Sequence, residues 1–164
     1  MSGKFIVNPR YPLRLNVGFL INQPVGTYRD IPFEFEQLAI WEDLPASNFS
    51  GTARISKTGQ GILVEGDFQA ITTLECVRCL TEFKQPVHTQ YQELFAFKYN
   101  QVTDSGLVLA EDGNIDLAPL VREYLLLEVP IKPICRPDCR GLCLECGVNL
   151  NETTCSHQAQ VVVD

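Results

Sequence analysis

The sequence lacks the long apolar run that a membrane-spanning helix needs, because no stretch approaches roughly 18 continuous apolar residues. Its first residues, MSGKFIVNPRYPL, also lack the apolar core of an export signal. Both absences predict a cytoplasmic protein that contacts no membrane. In that reducing compartment thiols bind metals rather than pair, and full pairing of the seven cysteines would leave one thiol over.

The sequence also lacks the short motifs of the common enzyme classes. It has no glycine-rich phosphate loop, no GxSxG nucleophile turn and no HExxH metal motif. Its carboxylates do not form an obvious acid–base pair, being scattered at positions such as Glu93, Glu123, Glu128 and Glu145. We therefore expect a protein that is not an enzyme and that has no small-molecule substrate.

Basic charge is scarce, since 13 lysines and arginines stand against 20 aspartates and glutamates and the net charge is −7. A protein that grips nucleic acid along its whole length needs a basic field, so this balance argues against such a grip. Residues 1–29 are the exception, with four basic residues and no acidic residue. These residues either form a local positive surface or lie apart as solvated side chains.

Patterning predicts an α+β fold, with a mostly antiparallel twisted sheet, one main helix and a zinc-stapled, cysteine-rich C-terminal segment. The 164 residues are 45% hydrophobic, which suffices for one domain. Alternation of apolar and polar residues predicts strands over 31–41, 48–56, 62–74 and 80–97. Gly66 indicates a bulge, and the motif Cys76-Val77-Arg78-Cys79 falls at the tip of a hairpin.

Residues 116–128 are predicted to form the main helix. Asp116 can cap its start, Pro119 fits its first turn, and Val129-Pro130 ends it. Apolar residues recur at helical spacing, so the helix should pack on the sheet. The predicted organisation is a β-rich domain over 1–130, a zinc-binding segment over 131–157 packed on it, and a tail over 158–164.

Five cysteines lie close together in the string CRPDCRGLCLECGVNLNETTC, at Cys135, Cys139, Cys143, Cys146 and Cys155. The segment is turn-rich and poor in large apolar side chains, so it needs a metal rather than a core to hold it together. A Cys-x-x-Cys pair lets two thiolates reach one tetrahedral ion, which favours zinc. An iron–sulfur cluster fits less well, because the spacing matches no ferredoxin pattern. Buried cysteines without metal are the remaining alternative.

The ligand count leaves two arrangements open. In the first, one zinc takes four of the five clustered cysteines. The second has two zincs, one held by Cys76, Cys79, Cys135 and Cys139, the other by Cys143, Cys146, Cys155 and His157. Seven cysteines and one histidine make the eight ligands that two closed sites need. Otherwise His157 is an exposed tail residue.

Enzyme interpretations are the main alternatives to a binding protein. Cys76 and Cys79 could form a redox pair, although a thioredoxin-like CxxC opens a helix, whereas this pair lies between two strands. A nuclease acting in RNA maturation would need clustered carboxylates for its metals, which the sequence does not offer. A purely structural zinc module that bridges other proteins is the third alternative.

Three stretches of the sequence carry a resemblance to a known family, namely ECVRCL, IDLAPLVREYLLLEVPIKPIC and CRGLCLECGVNLN. Over residues 10–156 the chain resembles the YceD-like family, the large-subunit ribosomal RNA accumulation proteins of bacteria and plastids. The resemblance implies a non-enzymatic factor in ribosome biogenesis. Cys76 and Cys79 match the family's CxRC. The later cysteines match an ending that only some members have, which implies a structural role for them.

The resemblance implies a partner from the large ribosomal subunit, either a ribosomal protein or ribosomal RNA. The uneven charge adds a hypothesis about the surfaces that they would contact. We expect the acidic body to bind a basic ribosomal protein, while a positive edge contacts RNA. The residues of this edge are Lys4, Arg10, Arg14, Lys132, Arg136 and Arg140.

Overall fold

The computed structural model describes residues 8–157. Lys4 and the predicted tail over 158–164 lie outside the described residues. In chain order the elements are β1 (Arg14–Asn16), α1 (Gly18–Ile21), β2 (Tyr28–Leu38), β3 (Ala46–Lys57), β4 (Gly61–Glu75), β5 (Glu82–Ala96), a 3₁₀ turn (Tyr99–Gln101), β6 (Asn114–Asp116) and α2 (Ala118–Leu127). None of the helices in this range combines the length and the apolarity that crossing a membrane requires.

The larger sheet is an antiparallel meander in the order β2-β3-β4-β5, and β1 pairs with β6 in a separate ribbon. The prediction of a mostly antiparallel sheet is therefore confirmed. Strand β2 begins and ends three residues earlier than the predicted strand over 31–41. The connection from Ala39 to Pro45 takes up the remainder of that prediction.

The predicted bulge at Gly66 is wrong. Gly66 pairs in regular register with Ala53 and Tyr91, and the register shift lies between Ser47 and Ser50. A Cβ added at Gly66 would lie 2.4 Å from the Tyr91 ring. Glycine is needed there because the aromatic ring occupies the space of a side chain.

Aromatic rings fill the inner face of the larger sheet. Phe49 stacks on Phe68 with ring centroids 5.3 Å apart, and Tyr91 stacks on Tyr124 of α2 at 4.6 Å. Phe49 and Phe68 are completely buried. Each such ring buries a large apolar area, so this ladder contributes much of the stability of the sheet.

Helix α2 covers the inner face, with Leu120, Val121 and Leu125 buried. It starts later than residue 116 because Asp116 still pairs with Arg14 in the β1–β6 ribbon. The Asp116 carboxylate nevertheless accepts a hydrogen bond from the Ala118 amide at 3.0 Å. From the end of α2 the chain runs to the tip of the β4–β5 hairpin, where the cysteines collect.

Candidate metal centres

The first centre begins in the turn that joins β4 to β5. The Leu80 amide donates to the Cys76 carbonyl at 2.9 Å, and the Cys76 amide donates to the Thr81 carbonyl at 3.0 Å. Leu80 takes the left-handed conformation, with φ of 60°. This tight turn folds the backbone around Cys76 and Cys79, so that both sulfurs can reach one point.

The segment that follows α2 holds this turn from two sides. The Val77 amide donates to the Pro133 carbonyl at 2.9 Å, and the Leu142 amide donates to the Arg78 carbonyl at 3.2 Å. The Arg78 guanidinium also donates to the Cys139 carbonyl at 3.2 Å. Arg78 therefore ties the sheet to the cysteine-rich segment through both its backbone and its side chain.

Four cysteines meet where these two parts join, and we call them the tip centre: Cys76, Cys79, Cys135 and Cys139. Their sulfurs all lie within 4.8 Å of one another. The sulfurs of Cys76 and Cys139 are 3.8 Å apart, and those of Cys79 and Cys135 are 3.7 Å apart. Sulfurs bound about 2.3 Å from a tetrahedral ion lie about 3.8 Å from each other, whereas a disulfide needs about 2.05 Å. The spacing therefore fits a tetrahedral metal site.

Burial and charge in the tip centre also suit a metal ion. Cys76 is completely buried, and Cys79 and Cys139 are 5% exposed. Burial raises the pKa of Cys76, but hydrogen bonds from the backbone of Cys79, Cys135 and Arg78 outweigh it and lower that pKa to about 6. Burial and the neighbouring thiols raise the pKa of Cys135 to about 12. Four thiols this close cannot all ionise without a cation among them, and a divalent ion supplies that charge.

The remaining ligands form the terminal centre, which consists of Cys143, Cys146, Cys155 and His157. One ligand atom from each residue lies within 4.8 Å of the others. Cys143 is 9% exposed, whereas Cys146 and His157 are exposed and Cys155 is half-buried. Backbone hydrogen bonds from Cys146 and Glu145 lower the pKa of Cys143 to about 6. This centre offers three thiols and one imidazole, and water reaches it more easily than the tip centre.

The turn in the terminal centre repeats the turn in the tip centre. The Gly147 amide donates to the Cys143 carbonyl at 2.9 Å, and the Cys143 amide donates to the Val148 carbonyl at 2.9 Å. Gly147 has φ of 75°, so it takes the place that Leu80 has in the first turn. Both Cys-x-x-Cys pairs are thus presented by the same backbone conformation, once with glycine and once with leucine at the left-handed position.

The structure brings the eight predicted ligands together in the two groups of the two-zinc arrangement. The one-zinc arrangement would require Cys135 or Cys139 to lie beside Cys143. Instead, both lie with the hairpin cysteines Cys76 and Cys79. Binding of a metal by these residues, and its identity as zinc, stay predictions. Sequence reasoning missed Asn151, whose amide nitrogen lies 3.3 Å from the Cys139 sulfur and can donate to it. No local signal marks this asparagine, because its role depends on the fold of the segment.

The predicted positive edge lies at two places along the chain. Arg10 and Arg14 are exposed near the start of α2, where Arg14 lies 3.7 Å from Asp112. Lys132, Arg136 and Arg140 are exposed in the cysteine-rich segment that follows the end of α2. Their role in binding RNA or another partner stays a prediction.

Comparison with known proteins gives matches to parts of the chain. The family described as "Large ribosomal RNA subunit accumulation protein YceD" matches residues 64–164. An uncharacterized protein of Mycobacterium leprae is 39% identical over 101 residues, which are 59% of this chain and 46% of that protein. An uncharacterized protein of Mycobacterium tuberculosis is 39% identical over 102 residues, 59% of this chain and 49% of that protein. The chain therefore matches less than half the length of these relatives.

A plant protein carries a functional name. The maize protein named "Large ribosomal RNA subunit accumulation protein YCED homolog 1, chloroplastic" is 44% identical over 45 residues, which are 27% of this chain and 15% of that protein. No solved structure matches the chain.

Proposed function

Because this chain belongs to the YceD family of large ribosomal RNA subunit accumulation proteins, we propose that it is a non-enzymatic, zinc-binding factor in ribosome biogenesis. It supports accumulation of large-subunit ribosomal RNA by binding that RNA or a ribosomal protein of the same subunit. A cytoplasmic location is part of the proposal. The name of the maize relative supports the process, although that match covers a short region.

The observation that carries the non-enzymatic part is that each centre offers four donors. A tetrahedral ion bound by four thiolates, or by three thiolates and an imidazole, keeps no free position for a substrate or a water molecule. Donor sets of this kind suit zinc in a structural role. The metal would join the β4–β5 hairpin to residues 133–157 as one rigid binding unit.

Burial supports a structural role for the CxRC motif over a redox role. A redox cysteine needs a thiolate that solvent can reach. Cys76 is completely buried, and its sulfur and that of Cys79 face Cys139 and Cys135. Rapid alkylation of Cys76 in zinc-loaded protein would contradict this and revive the redox alternative.

Metal content per chain, measured by elemental mass spectrometry on freshly purified protein, tests the zinc-binding part. We expect about two zinc ions in the wild type and about one in the double variant Cys76→Ser/Cys79→Ser, because each centre needs four ligands. One zinc that both proteins retain would confine the metal to the C-terminal segment. Absence of metal from fresh protein would overturn the zinc-binding proposal.

Deletion of the gene in the source organism tests the cellular role. We expect the ratio of large- to small-subunit ribosomal RNA to fall, and wild-type protein to restore it. The Cys76→Ser/Cys79→Ser variant should fail to restore the ratio if the zinc-held unit is needed. An unchanged ratio in the deletion strain would remove the proposed function.

The hypothesis that the cysteine-rich segment contacts RNA has its own test. Arg136 and Arg140 are exposed among the proposed ligands, so Arg136→Glu/Arg140→Glu should weaken co-sedimentation with precursors of the large subunit. The double variant Arg10→Glu/Arg14→Glu makes the same charge change near the start of α2, and so compares the two parts of the predicted positive edge. Unchanged sedimentation of the first variant would exclude the segment as the contact.

A further inference from the structure

The outer face of the larger sheet is uncovered over the part of the chain that the structure describes. Pro32, Thr52, Asp67 and Gln90 form one row across its four strands, and all four side chains are exposed. Helix α2 and the aromatic core lie on the opposite face. A sheet of this size therefore presents a broad polar surface to solvent.

Three shallow depressions on this face join into one groove over β3, β4 and β5. Their volumes are about 490, 260 and 340 Å³. The first and second share Asp67 in their lining, and the second and third share Gln69. We call this the outer groove; along β5 it runs from Pro86 to Gln92, a distance of about 20 Å for an extended strand.

Hydrogen bonds within the face leave acceptors pointing outward. The amide nitrogen of Gln90 donates to Asp67 at 2.8 Å, that of Gln92 donates to Glu65 at 2.9 Å, and that of Gln69 donates to Ser50 at 3.1 Å. Each glutamine thus directs its amide nitrogen at a neighbour on the sheet and keeps its carbonyl oxygen for a partner. The outer groove therefore offers mainly hydrogen-bond acceptors.

The negative charge of the outer groove also favours a ligand that carries hydrogen-bond donors and positive charge. Glu65 and Asp67 lie in its floor. Side-chain hydrogen bonds from Gln90 and His88 lower the pKa of Asp67, so this carboxylate is ionised at neutral pH. Arg54, on the same face, forms an ion pair with Asp30 at 2.7 Å and lies opposite Glu65 in the β3–β4 pair. One arginine thus stands against three carboxylates, Asp30, Glu65 and Asp67, so the face keeps a net negative charge. The ring of Tyr91 is stacked inside the core, so it offers no platform to a nucleobase.

From these contacts we infer that the outer groove binds an extended, arginine- or lysine-rich segment of a protein partner. Guanidinium and ammonium groups only donate hydrogen bonds, which matches a lining of acceptors, and their charge matches the two carboxylates. A nucleic-acid backbone is a poor occupant, since phosphates only accept and are negative. The groove accommodates about six residues of extended chain.

This inference deepens the proposed function, and it rests on that function only for the partner's origin in the ribosome. It assigns protein binding to the sheet, whereas the proposed RNA contact lies on the cysteine-rich segment. Ion pairs at an exposed groove are weakened by salt, so we expect a moderate affinity that falls as ionic strength rises.

The test is fluorescence anisotropy with zinc-loaded full-length protein and a labelled eight-residue peptide of alternating arginine and serine. We expect saturable binding, and none for a peptide with glutamate in place of arginine. The double variant Glu65→Gln/Asp67→Asn should bind about five- to tenfold more weakly, because two exposed ion pairs are lost. Thr52→Arg, which places a cation and a long side chain in the groove, should bind more weakly still.

The matched control is Glu111→Gln/Glu128→Gln, which removes two exposed carboxylates outside the groove. It changes net charge by the same amount, so it should bind the peptide within about twofold of the wild type. If both double variants bound the peptide equally weakly, the effect would come from net charge alone, and the inference would be overturned. Binding of a single-stranded RNA that depends on Asp67 would also overturn it.

The peptide assay contains no ribosomal material, so the inference and the proposed function can fail separately. An unchanged ribosomal RNA ratio in the deletion strain would remove the proposed function but would not affect the result of the peptide assay. Absence of peptide binding would overturn the groove's role and leave the cellular role standing. Thermal unfolding of each variant should match the wild type, because none of the substituted side chains is buried.

Discussion

The larger sheet and the cysteine-rich segment are stabilised by different interactions. In the sheet, apolar side chains point inward, and Phe49, Phe68 and Leu125 are completely buried. In the segment, Ile131 is 97% exposed and Leu144 is completely exposed. Other apolar residues of the segment, Ile134 and Leu142, are only half-buried, against the tip cysteines. Burial therefore offsets less of the entropy lost on ordering the backbone here than it does in the sheet. Ligand bonds to the proposed zinc ions would add to the hydrogen bonds that hold the segment on the hairpin tip.

The tip centre is where the two regions meet, because each contributes two of its four cysteines. Cys76 and Cys79 are held by the ladder of β4 and β5, and Cys135 and Cys139 come from the segment. The sheet thus supplies half of the proposed metal site. We expect the sheet to keep its fold without metal and the segment to lose its own.

The largest expected effect comes from the sheet. Phe68→Ala removes a ring that packs against Phe33, Phe49 and Tyr91 with centroids 6.0, 5.3 and 6.2 Å away. The free energy of unfolding should fall by about 3–5 kcal/mol, because a buried aromatic ring leaves a cavity. Urea denaturation followed by circular dichroism measures it.

Phe19→Ala is the control for this change. Because Phe19 is 39% exposed, its removal should lower the free energy of unfolding by less than the removal of Phe68. The loss at Phe68 should be the same with zinc bound and after chelation. A loss that depended on zinc would mean that the core of the sheet relies on the metal, and the contrast between the regions would fail.

The second effect belongs to the tip centre. Asn151→Ala removes the amide nitrogen that can donate to the Cys139 sulfur and the amide oxygen that accepts from the Arg140 backbone amide at 2.8 Å. Loss of a hydrogen bond to a ligand lowers metal affinity about 10- to 100-fold. Competition with a coloured chelator should show this loss for one of the two zinc ions, and the sheet should unfold at the same urea concentration as before.

Asn100→Ala, at an exposed position outside the segment, is the control for Asn151. It should leave both affinities unchanged. Equal affinities for Asn151→Ala and the wild type would show that the contact with Cys139 contributes nothing to metal binding.

A smaller effect compares the two matching turns. Gly147→Ala places a side chain at φ of 75°, where no atom lies within 4 Å of the added Cβ, so its cost is backbone strain of about 1 kcal/mol. Leu80→Gly relieves similar strain at φ of 60° but adds freedom to the unfolded chain, so its net effect should be close to zero. Hydrogen exchange of the two turn amides, Gly147 and residue 80, measures both changes.

Either of two results would contradict the equivalence of the turns. If Leu80→Gly destabilised its turn by as much as Gly147→Ala, the leucine side chain would be making a contact that outweighs its strain. If Gly147→Ala had no effect, the backbone at that position would relax freely, as expected only for a segment that is not held by metal.

The smallest effect concerns acid stability of the sheet. Hydrogen bonds from Arg122 of α2 lower the pKa of Asp43 in the β2–β3 connection. The folded-state pKa lies below the unfolded value of about 3.9, so the stabilisation is present above that pH and is lost as pH falls through the folded pKa. Arg122→Gln should therefore flatten the decline of stability below about pH 4, measured by urea denaturation from pH 2 to 7.

Arg14→Gln is a control for the pH experiment, since its partner Asp112 owes its lowered pKa first to Asn114. It should change the decline of stability below about pH 4 less than Arg122→Gln does. If stability below about pH 4 declined in Arg122→Gln as it does in the wild type, the ion pair between Arg122 and Asp43 would not be maintained in solution.

Elements with a strong local pattern could be predicted closely. Strands β4 and β5 were expected from alternating side chains, and α2 from its apolar spacing and its flanking proline. An opening strand or two was expected within residues 5–21, where β1 lies, but its pairing with β6 was not. Three-residue strands that pair across most of the chain leave no periodic signal. The assignment of Gly66 failed because a glycine in a strand fits either a bulge or the close approach of a ring, and only packing distinguishes them.

Sequence by itself determined the alternation that makes a meander, the number of candidate metal ligands and their two Cys-x-x-Cys pairs, because these follow from local order along the chain. Only the tertiary structure decided that Cys135 and Cys139 meet the hairpin cysteines, since that depends on how residues 80–134 return to the tip. It also decided which polar side chains share the outer groove. Neighbours across a sheet are set by strand register, and register is fixed by the packing of the opposite, apolar face.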